Sequence, residues 1–180
     1  MGTLVTFMRA VSSLIEMVAR VAAIISVAVV LTVMCSQVFA RYVMNSSLQW
    51  SEEASIWAMI WMVFMGSTIV LSKWEHIYIP TVVTLFPLRV KAALILFSRL
   101  LAAVFLVVLA YYGFDVIAGP ANAFSHNIGL STAWAKAAIP VGSVMMVIVI
   151  VAHVLDDIAA ILNGDLERFA AYGTFEGQDA

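Results

Sequence analysis

Four apolar runs decide what this chain can become. They occupy residues 21–40, 54–72, 92–114 (broken by Arg99) and 137–154, and are 18 to 23 residues long. At 1.5 Å rise per residue a helix of that length covers roughly 27 to 34 Å, the thickness of a hydrocarbon core of about 30 Å. Backbone amides in lipid have no water to bond, so each run must satisfy its own as a helix. The balance of side chains agrees: 64% are hydrophobic and 11% charged, where a soluble domain carries about 25% charged residues. The fold class is an all-α integral membrane protein with four transmembrane helices. Val38-Phe39-Ala40 has the form of a signal cleavage site. The run before it is too long for that, and about twenty residues precede it, so it reads as a retained span.

Charge narrows the function classes. A net charge of −2 excludes a strongly basic nucleic-acid surface. The single cysteine, Cys35, allows no intrachain disulfide and no thiolate metal cluster. Arg9, Arg20, Lys73, Arg89, Lys91 and Arg168 fall in the N-terminus, the middle loop and the C-terminus; the other two loops hold Arg41 and Lys136. Positive residues stay in the cytoplasm, so both termini are expected there. The turn after the first span and residues 115–136 then face outward.

The organisation is one membrane domain over residues 21–160 with two appendages. In residues 1–20, Leu4, Phe7, Met8, Val11, Leu14, Ile15 and Val18 recur at helical spacing, opposite Arg9, Ser12, Ser13, Glu16 and Arg20. Such an amphipathic N-terminal helix either lies in the interface or continues into a long, tilted first span. Between helices two and three, KWEHIYIPTVVTLFPLRVK is apolar but too short to cross. It is expected to be a short interfacial segment, with Trp74 and Tyr78 at headgroup level and Pro80 in a first helical turn. The tail occupies 161–180, and after Asp165 it is polar and expected to fray.

Enzyme chemistry finds little support. There is no G-x-S-x-G elbow and no phosphate-cradling glycine loop. No catalytic, cofactor-binding or metal residue is assigned. His76 and His153 both fall near the cytoplasmic surface, a placement that permits axial ligation of a haem, which makes a haem-bearing or generic membrane anchor the alternative function. Asp156 and Asp157 read as a solvated helix end. Arg99 lies about 12 Å deeper than Lys91 along its helix, where it either snorkels inward or pairs with another chain. No ion-coupling site stands out in the spans, which points toward an accessory subunit.

Helix two has distinct faces. Glu53, Trp57 and Trp61 form one stripe, and Ala54, Ala58 and Gly66 an adjacent one whose small side chains admit a neighbouring helix; the tryptophans serve equally as lipid anchors. Ahead of it, in RYVMNSSLQWSEEASIW, Ser51 is placed to cap the helix and Glu52 and Glu53 to sit in its first turn, where the helix dipole favours anions. Trp50 belongs to the aromatic belt. Arg41 ends helix one across a short turn, so an ion pair with Glu52 or Glu53 is expected to pin the hairpin. An exposed pair contributes only about 0 to 1 kcal/mol.

Taken in order, Arg41-Tyr42, Trp50-Ser51-Glu52-Glu53, Phe64-x-Gly66, Glu75-His76-Ile77 and Ile139-Pro140-Val141-Gly142 resemble the small membrane (DctQ-like) subunit of TRAP transporters, the tripartite ATP-independent periplasmic systems. The likeness covers roughly residues 20–160. It departs at Tyr78, where the family often has an acidic residue. The resemblance implies an accessory subunit, without cofactor, in the cytoplasmic (inner) membrane of a bacterium or archaeon. It would pack on a large polytopic subunit that holds the sodium and organic-acid sites, and meet a periplasmic substrate-binding protein transiently. Membrane lipids are its other partner. Candidate hairpin-pinning or interface residues are Arg41, Tyr42, Trp50, Glu52, Glu53, Trp57, Trp61, Gly66, His76 and Arg99.

Overall fold

The computed structural model describes residues 2–73, 87–119, 124–125 and 127–162. It is helical throughout, with four helices long and apolar enough to cross a membrane. These are α1 (Gly2–Tyr42), α2 (Gln49–Ser72), α3 (Leu88–Ala118) and α5 (Ala138–Leu162), the last preceded by a single turn, α4 (Ala133–Lys136). The four apolar runs fall inside these helices. Trp74, His76, Tyr78, Pro80 and the tail beyond residue 162 lie outside the described residues.

Local chemistry sets the ends. Helix α1 runs unbroken through the amphipathic stretch into the first span. It closes with Val43 N–H and Met44 N–H donating to the Phe39 and Ala40 carbonyls, and Asn45 turns the chain at φ 50°, a left-handed conformation that asparagine tolerates better than most residues. Helix α2 starts at Gln49 with Leu48 as its flanking residue and no side-chain cap. Ser51 therefore does not cap it: its hydroxyl sits inside the first turn, fully buried, and donates to the Leu48 carbonyl. Pro87 flanks the start of α3 in an extended conformation. Pro140 has no N–H to give to the carbonyl one turn back, and the helical ladder breaks between α4 and α5 at Ala137.

Helix α5 is the hub. It packs against α1, α2, α3 and α4, while α1 lies mainly along α2, and α3 along α5. The core is built from Leu71, Leu106, Met146, Val149 and Ile150, with Ile15, Phe64 and Leu109 packed onto it. Hydrophobicity does not hold such helices together in lipid; close fit does. Two glycines provide it. A Cβ on Gly142 would stand 2.7 Å from the Phe64 Cβ, so α2 seats Phe64 against bare α5 backbone. A Cβ on Gly113 would stand 3.1 Å from both Ile139 and Pro140, bringing α3 equally close.

Candidate subunit-contact surface and the buried charge layer

At one end of the bundle a polar layer ties all four long helices together. Arg99 of α3 is 1% exposed and Asp157 of α5 is 0% exposed. The guanidinium Nη1 donates to Asp157 Oδ2 and, at 3.2 Å, to the His153 carbonyl. His153 Nε2 donates to the Ser72 carbonyl at the end of α2, 3.0 Å away. Arg9 of α1 reaches both oxygens of Asp156 from Nε, at 3.2 and 3.0 Å. Glu16 and Arg20 pair at 2.5 Å on α1, as their i,i+4 spacing predicts.

Two expectations change here. Arg99 neither snorkels nor waits for a foreign carboxylate: its partner is Asp157 of the same chain. Asp156 and Asp157 are not a solvated helix end, since both are buried and α5 continues to Leu162. The sequence carried a signal for this. Ile158, Ala159, Ala160, Ile161 and Leu162 continue the apolar helix past the acids, placing them within it. As for the haem alternative, His153 Nε2 already serves the Ser72 carbonyl, and His76 lies outside the described residues.

The opposite end holds the hairpin residues. Arg41, Tyr42, Trp50 and Glu52 are exposed, Tyr42 by 76%. Arg41 makes no ion pair with Glu52 or Glu53. Glu53 is half-buried and accepts a hydrogen bond from the Ser125 hydroxyl, which also accepts the Ile128 N–H at 3.0 Å. Glu52 lies in the first turn of α2 and borders a polar recess of about 270 Å³ with Gln37, Ser47, Leu48, Gln49 and Asn127. Trp57 and Trp61 are half-buried, and Trp61 Nε1 donates to the Trp134 carbonyl at 3.1 Å. The structure thus brings Glu53 and Trp61 onto the segment between α3 and α4 and onto α4 itself, rather than onto Arg41. Ser125 and Trp134 were absent from the sequence-derived candidates; neither forms a motif, because the contacts span 72 and 73 residues.

Along α2, Ile56, Met59, Ile60 and Val63, with the core-packed Phe64 at its edge, line an open apolar groove of about 300 Å³. Gly66 continues that face. A Cβ built there would meet nothing within 4 Å among the described residues, so no contact with them accounts for this glycine.

Four long apolar helices tied together by an internal charge layer define a small multi-pass membrane protein. The family model for the DctQ component of tripartite ATP-independent periplasmic transporters matches residues 30–160, and the chain belongs to that family. It is a component of a transporter, not an enzyme. The chain is 26% identical over 122 residues to the sialic acid TRAP transporter small permease protein SiaQ of Vibrio cholerae, covering 67% of this chain and 69% of that protein. It is also 27% identical over 117 residues to the sialic acid TRAP transporter permease protein SiaT of Haemophilus influenzae. That match takes in 63% of this chain but spans only 18% of the Haemophilus protein.

Proposed function

We propose that this chain is the fixed scaffold subunit of a sodium-driven, binding-protein-dependent TRAP transporter for organic acids, packed against a large membrane subunit that carries substrate and sodium. The family match over residues 30–160 carries this reading. The spending of buried charge supports it: Arg99 is turned onto Asp157 inside the subunit, whereas a transport site needs polar groups directed at a pathway. The Vibrio and Haemophilus relatives are named for sialic acid, itself an organic acid, which fits the substrate class. The subunit sits in the cytoplasmic membrane with both termini inside, and meets the periplasmic binding protein on the surface around Tyr42 and Trp50.

Co-expression with its large subunit tests this. Tagged chain is expected to retain the large subunit through purification, and its deletion to abolish uptake of an organic acid that the intact system imports. Purification of the tagged chain alone, with uptake intact in the deletion strain, overturns the reading.

A further inference from the structure

We propose that the α2 face formed by Met59, Val63, Gly66 and Val70 is the seat of one transmembrane helix of the large permease subunit, with Gly66 as the point of closest approach. This inference rests on the function proposed above and names the surface that serves it.

Three observations converge on this face. The residues recur at steps of four, three and four, so they form a single stripe along the helix. Met59, Val63 and Val70 are 46%, 58% and 39% exposed, on the side of α2 away from Ser55, Met65, Thr68 and Leu71, which are buried. The stripe is also concave. A groove of about 300 Å³ runs beside Ile56, Met59, Ile60 and Val63, and Gly66, one turn on, leaves open the space a side chain would fill.

The glycine is the informative member. Glycine within a helix is less stable than alanine, and the other helical glycines of the bundle have a contact that explains them: Gly142 against Phe64 and Gly113 against Pro140. Gly66 has no such contact among the described residues. A fluid acyl chain fills uneven surfaces without requiring a missing Cβ, whereas a second helix approaches closely only where side chains are small. The α3 face shows the contrast. There Phe97, Leu101, Phe105 and Tyr111, all large side chains, stand 61% to 72% exposed, a surface suited to lipid.

The occupant follows from the Haemophilus relative, in which the stretch similar to this chain is 18% of one longer permease polypeptide. That arrangement sets one copy of the module beside one permease, which favours a permease helix over a second copy of this chain.

The test compares Gly66→Ala, Gly66→Leu and a control, Phe105→Leu on α3, each co-expressed with the large subunit, and adds Val63→Cys for cross-linking in a Cys35→Ala background. Gly66→Leu is expected to lower the retained large subunit about tenfold or more, the factor of a modest interface loss, while the isolated small subunit keeps its thermal midpoint. Gly66→Ala should weaken retention less, Phe105→Leu should leave it unchanged, and Val63→Cys should cross-link to the large subunit. Wild-type retention by Gly66→Leu, or a Val63→Cys cross-link only between two copies of this chain, overturns the inference while leaving the proposed function standing. Failure of the wild-type chain to retain the large subunit overturns both.

Discussion

Arg99 lies inside an apolar helix, where an unpaired arginine is costly, about 2.5 to 3.5 kcal/mol at the centre of a bilayer and less toward its face. It lies there because Asp157 cancels its charge and the His153 carbonyl takes a second N–H. The pair need not be strongly stabilising, since two desolvated ions recover little more than they lose; removing one partner is what harms, because the other is left charged and buried. Arg99→Leu or Asp157→Leu alone should therefore destabilise the bundle by about 3 to 5 kcal/mol. The double variant Arg99→Met with Asp157→Leu should regain most of that loss. Thermal unfolding in detergent reads the difference, and a double variant no more stable than either single one would show that the pair is not the unit. The existence of Arg99 was plain from the sequence, but not its partner. An arginine inside an apolar run announces a need for a counter-charge, yet Asp157 lies 58 residues away on a helix whose C-terminal end extends beyond its most apolar stretch.

Among the helices, fit rather than composition chooses the neighbours. The phenylalanine of Phe64-x-Gly66 and the glycine of Ile139-Pro140-Val141-Gly142 meet, with Phe64 seated on Gly142. Gly142→Val should force Phe64 out and cost about 1 to 3 kcal/mol, the range of an overpacked core; adding Phe64→Ala should return part of it. If Gly142→Val unfolds at the wild-type temperature, α2 and α5 are not held at this distance. The number, length and order of the helices were legible in the sequence because a bilayer admits so few solutions. The pairing was not, since apolar residues on every face of α2 and α3 erase the periodic signal that marks an inner side in water. Hence Gly66, Trp57 and Trp61 could be placed on faces but not assigned to partners, and the cap expected at Ser51 falls three residues after the observed one, Leu48. The hairpin pair of Arg41 with Glu52 or Glu53 rested on adjacency in sequence. Glu53 turns instead to Ser125, a residue of the other loop at the same end of the bundle.

Over the whole molecule, α5 is the axis and α1 the outrigger: 44% of the most apolar window of the last span is buried, against 11% for the first. At 41 residues α1 extends about 61 Å, twice the hydrocarbon core. Its N-terminal part stays on the bundle nonetheless, held by Arg9 on Asp156 and by Ile15 on the core, so the charge layer ties all four long helices together at one end. The exposed ends of that layer and of the hairpin give the proposed orientation a direct check. In a Cys35→Ala background, Ser47→Cys lies in the exposed turn between α1 and α2, and Lys73→Cys just past α2, on the side of the charge layer. With the termini in the cytoplasm, a membrane-impermeant maleimide should label Ser47→Cys in cells whose outer membrane has been permeabilised. It should reach Lys73→Cys only after the inner membrane is opened. The reverse pattern would place the hairpin inside, away from any periplasmic binding protein, and would remove Tyr42 and Trp50 from the surface that protein meets.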